Sequence, residues 1–293
     1  MSASPSRPGA TRAHLGAALT LLAMLGFAVM DTLSKFLVRE YPIAQTLWVR
    51  YFVFLLFALV IVRPARLRRA VFSRRPWLQG GRSLLGLIEN AVFVLAFLYL
   101  PLADTHALAA TSPLIVVGLA ALWLGERAGW QRWLAVAGGF CGVLIIIRPG
   151  LATLDWPVLL PLGGAVLWAI YQVMTRLCAR HDPPEATLLW TAAIGFLALC
   201  FVGPWQWRTP DAFAWTLILA LALLGSLSHY ALIRALDYAE AGVVQPFSYS
   251  LLVWAALLGW VVFADVPDAA TILGAGIVVA CGLWSWRQDR KRA

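Results

Sequence analysis

Ten apolar stretches of membrane-crossing length follow one another along this chain and limit its fold more than anything else in it, at 14–36, 43–62, 81–100, 104–124, 131–148, 157–178, 186–203, 212–235, 241–263 and 269–286. A helix needs about 20 mainly apolar residues to cross the hydrocarbon core. Inside lipid, every backbone N–H and C=O must be bonded within the element itself. The stretches are continuous rather than alternating, which excludes a closed β-barrel. Prolines punctuate them: Pro42, Pro64, Pro76, Pro101, Pro149, Pro157, Pro183, Pro184, Pro204, Pro210 and Pro267 stand at or near stretch ends, where a missing N–H costs least. Only 13% of the residues are charged and 61% are hydrophobic, against about 25% charged in a soluble domain. The expected fold is an all-α membrane protein of ten transmembrane helices, with no room for a sizeable soluble domain.

Charge sets the expected orientation. With the N-terminus in the cytoplasm, 18 of the 23 Lys and Arg fall on inside segments, and only Lys35, Arg39, Arg50, Arg148 and Arg208 fall outside. This bias puts both termini inside. The net charge of +9 is therefore read as topology, not as affinity for nucleic acid, and the basic run Arg63–Arg75 is its largest contributor. Residues 1–13 and 287–293 are expected to be cytoplasmic tails. Arg7 and Arg12 precede an apolar run without a clean cleavage site, so that run is read as a retained first span. Cys141, Cys178, Cys200 and Cys281 lie in or at the ends of apolar runs and are read as packing residues, not a disulfide framework or a metal site.

A weak internal repeat has a period near 140 residues. "GFAVMDTLSK" in the first span aligns with "LWAIYQVMTR" in the sixth, pairing Phe27 with Trp168, Met30 with Tyr171, Asp31 with Gln172 and Ser34 with Thr175. Glu126 pairs with Asp265 and Asn90 with His229. Spans five and ten share Ala137-Gly138 and Cys141-Gly142 against Ala275-Gly276 and Cys281-Gly282. Two repeats are expected, at 14–148 and 157–286. Five spans in each force the second to run opposite to the first, the inverted-repeat plan of secondary transporters, with a central cavity at the midplane.

"ALAATSPLIVVGLAALWLGERAGWQRWLAVAGGFCGVLII" in spans four and five, with its Thr111-Ser112-Pro113 and Leu124-Gly125-Glu126-Arg127 placements, and the "LWAIYQVMTR" opening of the second half resemble the drug/metabolite transporter superfamily, specifically its EamA-type ten-span carriers. The likeness covers about residues 14–286. The second half departs from the pattern, with "FADV" in place of Leu-Gly-Glu. The resemblance implies alternating access, with spans 1, 3, 4, 6, 8 and 9 lining the cavity and 5 and 10 packed outside. It implies a bacterial inner-membrane location and a small-molecule metabolite substrate, with no cofactor. The expected activity is export of amino acids, aromatic ones included. The alternatives are import of a vitamin such as riboflavin, or of a nucleotide-like metabolite. A membrane enzyme would need a clustered catalytic set, whereas His14, His106, His181 and His229 are scattered and no HExxH, phosphate loop or nucleophile elbow occurs.

Ionisable groups inside spans are the first candidates for transport. Glu89 sits near the middle of span three, suited to a substrate ammonium or a coupling proton, and Asn90 and His229 occupy matching sites in the two halves. Phe93, Phe97, Trp168, Tyr171, Tyr230 and Tyr249 lie deep on the spans that the resemblance assigns to the cavity. With Glu89, Asn90 and His229 they form the expected substrate-binding set. Asp31 and Lys35 stand one turn apart and are expected to pair, with Arg50 joining them as an outer-end gate. Pro113 and Pro246 are hinge candidates. His106 is expected to reach the outer interface. Glu126 is expected to organise a tight loop with Arg127 or Arg132. Trp77, Trp123, Trp130, Trp133, Trp156, Trp205, Trp207, Trp284 and Trp286 fall near boundaries as an interfacial belt.

Overall fold

A computed structural model describes residues 10–62, 64–112, 114–116, 119, 130–147, 156–179, 181–238 and 247–292. Among them there is no strand. The helices are α1 (Ala10–Leu37), α2 (Ile43–Ile61), α3 (Pro64–Val71), α4 (Pro76–Tyr99), α5 (Leu102–Ala109), α6 (Trp130–Ile147), α7 (Leu159–Ala179), α8 (Pro184–Cys200), α9 (Ala212–Tyr238), α10 (Ser250–Phe263) and α11 (Ala269–Arg292). Stretches within α1, α2, α4 and α9, and α7 with the turn before it, are long and apolar enough to cross a membrane, and α6, α8, α10 and α11 hold shorter apolar segments. Leu22, Val60, Phe140 and Val253 are exposed on the outside of the bundle, as expected where lipid is the solvent.

Polar residues enter these helices by bonding their own backbone. Thr20, Thr32 and Ser34 each donate a hydroxyl to the carbonyl four residues earlier, at 2.8, 2.8 and 3.0 Å. After α5, helical geometry breaks at Ala110 and Thr111 and then resumes. A corresponding turn sits at Tyr249, one repeat period later, just before α10. Hydroxyls cap both breaks: Thr111 donates to the Leu108 carbonyl at 2.7 Å and Ser250 to that of Phe247 at 2.6 Å. Ser112 also donates to the Ala109 carbonyl at 2.5 Å, the group that a proline at position 113 has no N–H to reach. The hinge candidates Pro113 and Pro246 themselves, and the loop candidates Glu126 and Arg127, lie outside the described residues. α3 is a helix not foreseen in the sequence. It starts on Pro64, buries Ala70 and docks on α8, where the Trp190 indole donates to the Val71 carbonyl at 3.2 Å.

The packing carries the repeat into space. α1 packs on α9 and α10, and its counterpart α7 packs on α4 and α5. α2 packs on α8 and α9, and its counterpart α8 packs on α2 and α4. α6 packs on α11, and α5 on α10. Exchanging the two halves returns the same contacts, so the halves are related by a pseudo-two-fold. An odd number of crossings per half lays that axis in the membrane plane, as in inverted-repeat transporters. α6 and α11 meet backbone to backbone: a Cβ on Gly142 would come within 2.7 Å of the Gly274 carbonyl oxygen, and one on Gly274 within 2.5 Å of that of Gly142. Small residues let membrane helices approach this closely.

Candidate functional site

The buried charges of α1, α2, α4 and α5 converge in one array. Lys35 is 3% exposed and its Nζ donates to Asp265 Oδ2 at 2.6 Å, tying α1 to the connection between α10 and α11. One turn deeper, Asp31 Oδ2 lies 3.2 Å from His106 Nε2 on α5. Arg50 on α2 donates through Nη1 to Asn90 Oδ1 on α4 at 2.7 Å. Glu89 is buried beside it, within electrostatic reach of Asp31 and Arg50. Glu89 is ten residues from the end of α4 at Tyr99, about 15 Å at about 1.5 Å per residue, which is mid-membrane depth.

Two expectations are corrected here. Asp31 and Lys35 do not pair with each other, nor does Arg50 bridge them. Lys35 instead meets Asp265 in the connection between α10 and α11, Asp31 faces His106 on α5, and Arg50 bonds Asn90 on α4, because spacing along one helix does not fix what stands opposite it. His106 does not reach the interface. It is 6% exposed and packs between Phe93 and Phe97, at ring separations of 6.4 and 6.0 Å.

Aromatic groups from both halves border this array. His229 on α9 donates from Nδ1 to the Gly225 carbonyl at 2.9 Å and sits edge-on to Phe27 at 4.8 Å, with Phe54 at 5.6 Å. Gly225 itself faces Arg50 and Met30. Phe93 lies against Gly164 of the second half. Thus Glu89, Asn90, Phe93, Phe97, His229, Asp31 and Arg50 come together, and Lys35 stands at one end of them. Phe27, Phe54, His106 and Asp265 belong with them although sequence reasoning did not select them. Asp265 and Phe27 carried a signal in their repeat pairings with Glu126 and Trp168, and His106 stood out as an ionisable group; where they pack was not legible, because a linear pattern holds no rotational phase between helices.

The remaining candidates lie apart. Trp168 and Tyr171 stack on each other at 5.2 Å, and the Tyr171 hydroxyl accepts from Arg82 Nη1 at 2.9 Å. Tyr230 meets Phe57 at 5.9 Å, and Tyr249 sits against Gly282 of α11, its hydroxyl buried without a hydrogen bond among the described residues.

Arg82 is the other residue that sequence reasoning missed. Counted as a topology charge, it is fully buried. Its guanidinium donates to Gln79 Oε1 at 3.2 Å, the Thr187 carbonyl at 3.0 Å and Thr191 Oγ1 at 2.8 Å, besides Tyr171. It therefore ties α4 to α7 and α8. Gln79 in turn donates to Asp182 at 3.0 Å in the α7–α8 connection. Burial works to raise the Asp182 carboxyl, but bonds from the Ser73 hydroxyl, the Arg74 N–H and Gln79 outweigh it and bring it below the ordinary carboxylate range.

Two inverted halves, linked by the Lys35–Asp265 bridge and by Arg82, with a buried charge array and aromatic rings between them, have the arrangement of a carrier. A family model described as the EamA-like transporter family matches residues 14–148 and again 155–284. The chain belongs to the EamA-like transporter family. Among the EamA-like proteins it is similar to, the riboflavin transporter of Rhizobium johnstonii is 29% identical over 289 residues, 96% of this chain and 94% of that one. The pseudopaline exporter CntI of Pseudomonas aeruginosa is 30% identical over 275 residues, 91% of this chain and 94% of its own. A solved crystal structure, 23% identical, covers 98% of this chain and 99% of its own with a TM-score of 0.61, which shows the same fold. The resemblance to drug/metabolite carriers read from the sequence is thereby met, and this EamA-like protein is a multi-pass membrane transporter of small molecules.

Proposed function

We propose that this protein is a secondary carrier for riboflavin or a closely similar flat heteroaromatic metabolite, working by alternating access between its two halves in the bacterial inner membrane, with both termini cytoplasmic. The observation that carries the reading is the likeness, over 96% of this chain, to a protein named a riboflavin transporter. The chemistry of the array is compatible with it. A flat ring system with carbonyl and N–H edges calls for aromatic faces and a few placed polar groups. Phe27, Phe54 and Phe93 offer the faces, and Asn90, Arg50 and Glu89 the donors and acceptors. Trp168 and Tyr171 stack on each other beside the Arg82 group rather than in the array. Amino acid export, the first expectation from sequence, takes second place, because neither relative above is named for an amino acid.

The test is counterflow in proteoliposomes holding the purified full chain. Riboflavin loaded inside should trap labelled riboflavin added outside, amino acids should not compete, and Asn90→Leu should reduce the trapping about tenfold through loss of a bond worth about 1–1.5 kcal/mol. Absence of riboflavin counterflow, with an aromatic amino acid exchanging in its place, would overturn the reading.

A further inference from the structure

The charges of the array do not balance among the described residues. Lys35 and Asp265 neutralise one another at 2.6 Å. What remains beneath them is two carboxylates, Asp31 and Glu89, one permanent cation, Arg50, one imidazole, His106, and the Tyr51 phenol beside Arg50. Arg39 is exposed over the Phe263 ring, and Asp104 opens α5 with contacts of its own. His229, facing from α9, lies near Arg50 and gives its Nδ1 to a carbonyl. Arg82 and Asp182 form their own group through Gln79. The array is thus one positive charge short, in an apolar interior where an unbalanced charge is expensive.

A second observation says where the missing charge goes. His106 Nε2 is buried without an aligned hydrogen bond, yet it lies 3.2 Å from an Asp31 oxygen. One added proton turns that contact into an ion pair and leaves Arg50 to balance Glu89. A hard metal cation is held by several oxygen ligands, whereas the described residues set an imidazole and a guanidinium beside the Asp31 and Glu89 carboxylates.

We infer that Asp31, His106 and Glu89 form a binding site for a single coupling proton, closed from one membrane face by the Lys35–Asp265 bridge. The inference rests on the carrier reading above and adds the ion that drives it. On opening of the bridge, the proton is exchanged with the aqueous phase by Asp31 and His106. The proton is bound or released as such; no other bond forms or breaks.

The first measurement needs no substrate. Infrared difference spectra of the purified protein between acid and alkaline pH should show carboxyl and imidazole bands titrating together. Asp31→Asn and Glu89→Gln, each of which neutralises the array without a proton, should each abolish that joint titration. Spectra unchanged in both variants would overturn the inference. The second measurement is flux: an imposed pH gradient should drive accumulation of labelled riboflavin in proteoliposomes, and a sodium gradient should not. In the two variants, whatever flux persists should no longer respond to pH. Accumulation driven by sodium would overturn the proton site. Absence of all riboflavin flux would count against the substrate, and the infrared titration would still decide the proton site.

Discussion

Arg82 shows how far one residue's role can lie from its apparent one. By composition it is another positive charge at a basic membrane face. In the structure its guanidinium is fully enclosed and serves side chains or carbonyls of α4, α7 and α8. Lysine offers no planar fork, so it cannot serve those acceptors at once. Replacing Arg82 by Ala takes their guanidinium donor from Tyr171 Oη, Thr191 Oγ1 and Gln79 Oε1. With hydrogen bonds to charged groups worth about 1.5–3 kcal/mol, the loss should be about 3 kcal/mol or more. Thermal unfolding in detergent should show it, and Arg82→Lys should recover only part of it. The same limit governs the Asp31, Lys35 and His106 partners. Spacing along one helix identifies which residues share a face, but it is silent on what stands opposite.

Between helices, close approach is decided by what is missing from a side chain. Gly142 and Gly274 bring the backbones of α6 and α11 into contact, and the obstructing atoms are carbonyl oxygens that cannot rotate away. Gly142→Val should therefore separate the two helices and destabilise the protein by about 1–3 kcal/mol, the range for forced overpacking. Gly80 has open space where a Cβ would stand, so Gly80→Ala serves as the control and should unfold at or above the wild-type temperature. The Ala-Gly and Cys-Gly repeats in spans five and ten made a small-residue face legible in the sequence. That the two faces meet each other was not, since it depends on how ten cylinders are arranged. The short helix α3 escaped for another reason. Its eight residues are too polar to register as a span, and it docks on α8 through buried Ala70 and the Val71 carbonyl, contacts that the sequence does not display.

The two halves of the protein are interlaced rather than set side by side. The principal helix contacts of α1, α2 and α4 are with α9, α8 and α7 of the other half. The alternating access proposed above would have to shift contacts between the halves, with polar links between them as points of control. Lys35 in the first half and Asp265 in the second form such a link. Reversing either charge alone, Lys35→Asp or Asp265→Lys, should sharply reduce counterflow by setting like charges face to face, while the double reversal should restore most of it. Asp265 is partly exposed, so the effect belongs in flux more than in stability.

Read alone, the chain already specifies its solvent, the number and approximate ends of its crossings, and the reversal of one half relative to the other. These follow from run length and parity, which are properties of the chain in one dimension. Glu89 and Asn90 also stand out there, because a polar group deep inside an apolar run is anomalous wherever the helix packs, whereas Asp31 and Arg50 read only as an outer-end group. It took the folded arrangement to show that Lys35 meets Asp265, that Asp31 meets His106, and that Arg82 is a buried clamp. Those pairings depend on helix rotation and on contacts between residues far apart in the chain, and the hydrophobic pattern that specifies a lipid-soluble helix carries almost no information about either.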